Sequence, residues 1–194
     1  MKDIINRIQD WYKLNCNGDW EHAYGWTITT IDNPGCAITI DLSETALENL
    51  NYKREHQNPK NDNDWFQMHT ENKTLTIYCG PENMKLALEI FFDELIPRFA
   101  DKNFKYDIYL PVDGCEINLW TPAKSRLVDE RNLEITEIDK IEYRNLKFRD
   151  IETINFVSTE VDKIRTRYEV GDILEVVIEK VYDGLILAAK SRSQ

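Results

Sequence analysis

The chain has 194 residues, of which 42% are hydrophobic, enough for one large domain or two small ones with real cores. It carries 24 basic and 35 acidic side chains, a formal net charge of −11. This charge disfavours general binding to nucleic acids or anionic membranes, because both need basic faces, and it favours a basic partner. Solubility alone is an equally ordinary reason for an acidic composition.

The sequence predicts a cytoplasmic protein with reduced cysteines. The first residues, MKDIINRIQDWYKLN, interrupt their apolar positions with charges and so lack the apolar core of a signal peptide. No later segment approaches the roughly 20 apolar residues of a membrane span. The four cysteines are widely spaced, with no C-x-x-C pair and no short disulfide framework.

The first predicted elements are a helix and a hairpin. Apolar residues at helical spacing predict an amphipathic helix over residues 3–14. Two β-rich segments, residues 26–31 and 36–42, flank Asp32-Asn33-Pro34-Gly35 and predict a hairpin. Pro34 and Gly35 are placed for the centre of a type II turn.

A loop, two strands and a second helix follow. Residues 52–64 are polar and predict an exposed loop. The segments DWFQMHT and LTIYC predict two short strands around a turn at residues 71–73. From Pro81 the apolar spacing becomes helical, and the predicted helix ends at Pro97.

The predicted fold class is α+β, in two parts. Residues 1–98 form an antiparallel sheet with two helices on one face. Residues 99–194 form a mostly β domain, or a strand extension of the first sheet, and the sequence leaves these alternatives open. Its predicted strands lie in KYDIYLPVDGCEINLW, LEITEI, KIEYRNLKF, TINFVS and DILEVVIEKVYDGLILAAK, the last a hairpin around Asp183-Gly184.

The segment DWEHAYG, residues 19–25, concentrates carboxylates, aromatic rings and a histidine. In an extended segment Glu21 and His22 point to opposite faces and cannot orient each other, which disfavours acid/base catalysis. Cys16 lies six residues before His22, but no third member of a nucleophilic set is evident. We therefore predict a non-enzymatic protein.

The sequence also predicts neither a metal nor a cofactor. The three histidines are tens of residues apart, and none has a second ligand at metal-binding spacing. His56 is expected to be solvated in the polar loop and His69 to lie on a strand surface. Glycine-rich phosphate loops are absent from the sequence.

Docking to a protein partner is the favoured role for this segment. Tyr and Trp often anchor interfaces, and surrounding carboxylates speed the capture of a basic partner. Residues 1–98 are the more acidic half, with 9 basic and 16 acidic side chains. The alternative for Trp20 and Trp26 is a place in the core. The predicted partner-binding residues are Asp19, Trp20, Glu21, His22, Tyr24, Asp32, Asp41, Asp62, Asp64 and Trp65.

Short motifs follow one another through two segments of the first half of the chain, WYKLNCNGDWEHAYGWTITTIDNPGCAITIDLSETALEN and NDWFQMHTENKTLTIYCGPENMKLALEIFFDEL. They are, in order, a W-Y start, C-[DN]-G-D-W-E-H-x-Y-G, T-x-D-N-P-G, I-D-L, D-W, G-P-x-N and L-E-I-F. In this set of motifs the chain resembles the immunity protein 53 family of bacterial polymorphic toxin systems. The resemblance ends near Pro97.

The resemblance implies a cytoplasmic protein that binds and neutralises a cognate toxin and catalyses nothing. Many such toxins are nucleases with basic clefts, which an acidic protein is suited to cover. The alternative from another class is a nucleic-acid-binding protein, because residues 168–190 loosely resemble the first strands of an S1-type barrel. The oligomeric state is not predicted.

Overall fold

A computed structural model describes residues 3–113, 118–140, 142, 145–149, 165–182 and 184–190. The α+β class is confirmed, with one antiparallel sheet that has helices and a second unit that is mostly β. The contacts divide the chain into two compact units. The N-terminal unit comprises Trp20–Lys102 and the start of the chain up to Gln9, and the C-terminal unit comprises Asp10–Asp19 and the chain from Asn103 onward.

The helices are short except for the first. They are α1 (Ile4–Asn15), α2 (Trp20–Ala23), α3 (Met84–Ile90), a π-helical segment (Phe91–Leu95) and α4 (Ile96–Phe99). The strands of the first sheet are β1 (Trp26–Ile31), β2 (Gly35–Asp41), β3 (Lys53–Gln57), β4 (Trp65–Glu71) and β5 (Thr74–Cys79). The predicted first helix and the strand pairs β1–β2 and β4–β5 are confirmed.

The five strands of the N-terminal sheet pair in the order β1-β2-β5-β4-β3, and every pair is antiparallel. The predicted loop over residues 52–64 is wrong in its first part, because β3 pairs with β4 along its whole length. All five β3 side chains are exposed. Apolar alternation therefore could not reveal a strand whose only contribution is backbone pairing at a sheet edge.

One face of this sheet is covered and apolar. Ile38 lies opposite Ile77, which lies opposite Met68, and all three side chains are buried. The helical segment over residues 84–99 covers this face, and Trp26 contacts Phe91 edge-on at 5.5 Å and stacks with Phe92 at 6.1 Å. Burial of this layer supplies the main favourable free energy of the unit.

The β1–β2 turn differs from the prediction. Ile31 pairs with Gly35, so the loop consists of Asp32, Asn33 and Pro34, and Gly35 is the first residue of β2. Gly35 does not have the positive φ that the second central residue of a type II turn needs. Its lack of a side chain serves a close approach instead, since a Cβ would lie 2.2 Å from the Cys79 carbonyl oxygen.

The second predicted helix does not end at Pro97. It continues through a π-helical segment and α4 to Phe99. A proline inside an α-helix lacks an N–H donor and clashes with a preceding carbonyl. The wider π-helical turn immediately before α4 changes which carbonyls are bonded, and so it lets the chain accept Pro97.

The C-terminal unit is a small barrel among its described residues. Its strands are β6 (Tyr106–Pro111), β7 (Leu119–Leu127), β8 (Asn132–Ile138), β9 (Lys147–Phe148), β10 (Ile173–Val181) and β11 (Gly184–Ala189). The sheet order is β6-β11-β10-β8-β7-β9, and β6 also pairs with β7, which closes a ring. Around this ring the five strands β6, β7, β8, β10 and β11 follow one another in chain order.

This meander corrects the loose S1-type resemblance. An S1-type barrel has Greek-key order, whereas β10 and β11 are here the last two strands of a sequential ring, and β11 pairs with β6 in parallel. The β10–β11 hairpin itself is confirmed. The predicted strand TINFVS lies outside the described residues. Of the described part of KIEYRNLKF, Lys147 and Phe148 form a strand.

Strand β7 runs through a proline that the sequence did not place in a strand. Pro122 pairs with Tyr109 of β6 on one side. On its other side it lies between the residues that pair with β9 and those that pair with β8, and its carbonyl accepts from the Asp139 N–H at 3.2 Å. Pro122 therefore lacks its N–H at the position where the neighbour of β7 changes from β9 to β8.

None of the helices in the described ranges is long and apolar enough to span a membrane. The described cysteines Cys16, Cys36 and Cys79 are free thiols, and Cys115 lies outside the described residues.

Candidate functional site

The second face of the N-terminal sheet is the candidate binding surface, and we call it the open face. Side chains alternate along each strand, so the registers assign every residue to one face. None of the open-face side chains is buried. They are Thr27, Thr29, Ile31, Ala37, Thr39, Asp41, Thr74, Thr76, Tyr78, Trp65, Gln67, His69, Glu71, Lys53, Glu55 and Gln57.

A hollow of about 560 Å³ lies at one end of this face. Tyr78 is 39% exposed, and its ring stacks with that of His69 at 6.4 Å. Aromatic rings beside amide and carboxylate groups can bury apolar area and still form directional hydrogen bonds. The residues that line the hollow are Ile31, Asn33, Gln57, Asp62, Trp65, Gln67 and Tyr78.

One buried side chain fixes the rim of the hollow. Asn83, 4% exposed, accepts from the Trp65 N–H at 3.0 Å and donates to Asp64 Oδ1 at 2.9 Å. The Gly80 N–H donates to the Trp65 carbonyl at 2.8 Å, and a Cβ on Gly80 would lie 2.1 Å from the Asn63 carbonyl oxygen. These bonds hold Trp65 in place between the polar loop and the start of the second helix.

Asp64 also organises the polar loop. Its carboxylate accepts from Asn58 at 2.8 Å and lies 3.1 Å from His56 Nε2. Hydrogen bonds from Asn58 first, then Asn83, and the contact with His56 hold the pKa of Asp64 below its ordinary value. His56 is exposed, as expected, and it lies in β3, where its ring also stacks on Phe66 at 5.4 Å.

The predicted partner-binding residues of the N-terminal unit fall into two groups. Asp32, Asp62, Asp64 and Trp65 lie at the end of the strands that holds the hollow. The other group, formed by residues 20–24 and Asp41, lies at the opposite end, roughly 17 Å away for strands of this length. The structure therefore does not bring them together as one patch.

The opposite group is partly structural. Trp20 is 1% exposed, and its indole N–H donates to the Ser43 carbonyl at 2.9 Å, so it occupies the core as the alternative interpretation stated. The Asp41 carboxylate accepts from the Gly25 N–H at 3.1 Å. The Tyr24 hydroxyl lies 3.4 Å from Glu44 Oε1.

The remaining predicted residues around α2 are accessible. His22 is exposed and Glu21 is half-buried. Asp19, the last residue of the Asp10–Asp19 segment, is exposed, and its backbone N–H donates to Asn17 Oδ1 at 3.0 Å.

Acidic side chains outnumber basic ones on the open face. The acidic side chains of this face are Asp41, Glu55 and Glu71, and its Lys or Arg side chain is Lys53. Lys53 is already paired with Glu55 at 3.1 Å. Asp32 and Asp62 are exposed at the end that holds the hollow. A basic partner would therefore meet few charges of its own sign.

Cys16 is 3% exposed, and its thiol donates to the Tyr12 carbonyl at 3.3 Å, which describes a packing residue. Within the described ranges, His, Cys, Asp and Glu form no group of three or more that could hold a metal ion. An open polar sheet face with an aromatic hollow is a surface suited to binding another macromolecule.

The comparison with known families agrees with the resemblance in the sequence. Residues 5–95 match the family model described as immunity protein 53, which confirms the predicted relationship of the N-terminal half. No curated protein and no solved structure matches the chain.

The quoted family segments have clear places in the structure. D-W and G-P-x-N meet at the rim of the hollow, where Asn83 binds Asp64 and the Trp65 backbone. The last residue of C-[DN]-G-D-W-E-H-x-Y-G, Gly25, meets I-D-L at the opposite end, where the Asp41 carboxylate accepts from the Gly25 N–H. These motif residues hold turns in place, and the lining of the hollow combines residues within the motifs, Ile31, Asn33 and Trp65, with four residues between them.

Sequence reasoning missed several residues of the hollow, among them Gln57, Gln67 and Tyr78. Tyr78 lies between two buried residues in LTIYC, and only the alternation along the strand separates it from the core. Alternation from Trp65 would have pointed to Gln67 and His69. The strand pairing that joins these residues to Tyr78 and Gln57 is not readable from one sequence.

Proposed function

We propose that this protein binds a cognate bacterial toxin and neutralises it through the open face of its N-terminal sheet. The observation that carries the proposal is the match of residues 5–95 to the immunity protein 53 family. The accessible hollow, bounded by Trp65 and Tyr78, supports the choice of surface. Its aromatic rings are the kind of side chain that most often anchors a protein interface.

The toxin that best fits this surface is a basic protein, such as a nuclease. The open face and the adjoining turn present Asp32, Glu55 and Asp62 to solvent. A nuclease needs a basic cleft for its substrate, and an acidic partner is attracted to that cleft at long range. Bound there, the protein excludes the substrate and needs no catalytic group of its own.

The proposal is tested by co-expressing the protein with the toxin encoded beside it. The wild-type chain should co-purify with the toxin domain and restore growth. Two charge-reversal variants test two parts of the predicted surface separately. Asp62→Lys changes the hollow, and a variant that combines Asp19→Lys with Glu21→Lys changes the region around α2. Glu89→Lys, on the helix that covers the other face, is the control with the same charge change as each single reversal.

Loss of protection in Asp62→Lys, with protection retained in Glu89→Lys, is the expected result. Loss only in the Asp19→Lys and Glu21→Lys variant would move the interface to the α2 end. Failure of the wild-type chain to bind or protect against the neighbouring toxin would overturn the proposal.

A further inference from the structure

Strand β1 forms one edge of the N-terminal sheet, and its sequence is unusual for an edge. It reads WTITTI, with no charge, no proline and no glycine over residues 26–31. Edge strands expose unpaired backbone groups and are normally protected by charges or prolines. Ile28 is 46% exposed, and the residues from Thr27 to Thr30 are all exposed.

The other edge of the same sheet provides an internal comparison. Strand β3 reads KREHQ, so it carries Lys53, Arg54 and Glu55 on an edge of similar length. Charges of this kind discourage pairing with another strand. One edge of the sheet is therefore protected by its side chains, and the other is not.

The hydrogen-bond pattern shows which backbone groups of β1 face outward. The Asp41 N–H donates to the Gly25 carbonyl at 3.0 Å, so these two residues form a hydrogen-bonded pair. Bonded and non-bonded pairs alternate in antiparallel sheets, so Thr27, Thr29 and Ile31 bond to β2. The N–H and C=O groups of Ile28 and Thr30 consequently point away from β2.

A second bond supports this assignment independently. The Leu42 N–H donates to the Lys73 carbonyl at 2.8 Å, which directs the even-numbered residues of β2 toward β5 and leaves its odd-numbered residues for β1. Among the described residues, no strand or side chain bonds to the outward groups of Ile28 and Thr30.

We propose that the β1 edge pairs with the β1 edge of a second copy of this chain, antiparallel and centred on Ile28. This register places Ile28 opposite Ile28 of the second copy and Thr27 opposite Thr29. The outward N–H and C=O groups of Ile28 then form a hydrogen-bonded pair with those of Ile28 in the second copy. The two sheets join with their open faces on the same side.

The chemistry of β1 selects this occupant. A charged strand finds no oppositely charged side chain on β1 to pair with. An uncharged strand of β-branched residues forms favourable cross-strand side-chain pairs with β1, and β1 is itself such a strand. The register also keeps the two Asp32 residues eight strand positions apart, roughly 26 Å. The pairing needs no toxin, so it is independent of the proposed function and can fail or hold separately.

The test uses paired charges at the symmetric position. Ile28→Lys and Ile28→Glu each place two like charges opposite each other, and an equimolar mixture places Lys opposite Glu. Sedimentation velocity of the full chain over a wide concentration range should show a wild-type dimer. Each variant alone should have a dissociation constant raised at least about tenfold, and the mixture should recover the dimer.

Controls separate this result from misfolding or from a general charge effect. Thr76→Lys adds the same charge to the open face away from the edge and should dimerise as the wild type does. Recovery in the mixture shows that both variants are folded. A wild-type chain that stays monomeric, an unchanged dimer in Ile28→Lys, or a mixture that remains monomeric would each overturn the proposal.

Discussion

Arg7 donates from Nη2 to Asp93 Oδ1 at 2.7 Å, and its guanidinium carbon lies 4.6 Å from the ring centroid of Phe92. The Arg7 side chain is only 10% exposed, whereas Asp93 is 56% exposed. A charge removed this far from water needs its carboxylate and its aromatic neighbour to offset the cost of desolvation. This contact joins the first turns of α1 to the π-helical segment.

The Arg7–Asp93 pair should therefore be stronger than a surface pair. We expect Arg7→Ala to lower the free energy of unfolding by about 2–3 kcal/mol, because it removes a charge-assisted hydrogen bond and the packing on Phe92. A double-mutant cycle with Asp93→Asn, followed by denaturant unfolding, should give a coupling above about 1 kcal/mol. The exposed pair Lys85–Glu89 is the control, with an expected coupling of about 0.3–0.5 kcal/mol. Equal couplings would show that the burial of Arg7 adds nothing.

Gly35 should not tolerate a methyl group. A Cβ there would lie 2.2 Å from a backbone oxygen of β5, so Gly35→Ala must separate β2 from β5 locally. The expected loss is about 1–3 kcal/mol in thermal or denaturant unfolding. Gly25→Ala is the matched control, because nothing lies within 4 Å of its Cβ position, and its effect should stay within about 0.5 kcal/mol. A comparable loss in both variants would contradict the close approach.

Asp64 should make the N-terminal unit sensitive to acid. Its pKa in the folded state is lowered, mainly by the Asn58 and Asn83 hydrogen bonds, so its contribution is complete above the ordinary carboxyl pKa of about 3.9. That contribution is lost as the pH falls through the lower folded value. Asp64→Asn should therefore show a shallower loss of stability below about pH 4 than the wild type. If wild type and Asp64→Asn lost stability equally as the pH falls, Asp64 would have the same pKa in the folded and unfolded states.

Cys79 should resist alkylation at neutral pH. Burial first, and the neighbouring Cys36 second, raise the pKa of its thiol from an ordinary value near 9 to about 11. The neutral thiol is thus favoured in the folded state, so stability is lost as the pH rises from about 9 to about 11. Iodoacetamide with mass spectrometry should modify the half-buried Cys36 before Cys79. Faster modification of Cys79 would contradict its burial.

The elements that sequence patterns predicted well are those whose side chains alternate between a core and solvent. The helix over residues 3–14, the β1–β2 hairpin and the β10–β11 hairpin all have this property. Strand β3 has no buried side chain, and Pro122 lies within a strand whose neighbour changes at that point. Both depend on pairing between distant segments, which local periodicity does not encode.

The candidate site was predictable only in part for the same reason. The sequence identified Asp62 and Trp65 by composition, and both line the hollow. It joined them to residues 19–24 because both groups are acidic and aromatic, whereas strand register places residues 20–24 at the opposite end of the sheet from Asp62 and Trp65. Tyr78 was missed because its neighbours Ile77 and Cys79 are core residues.

The most direct test of toxin binding by the open face is the affinity of purified toxin domain for variants of this surface, measured by calorimetry. Tyr78→Ala combined with Asp62→Lys should raise the dissociation constant by about thirtyfold or more, the effect of losing an anchoring residue. Glu89→Lys should leave the dissociation constant within about threefold of wild type, as expected for a charge outside an interface. Wild-type affinity in the Tyr78→Ala and Asp62→Lys variant, with its fold intact, would contradict the account.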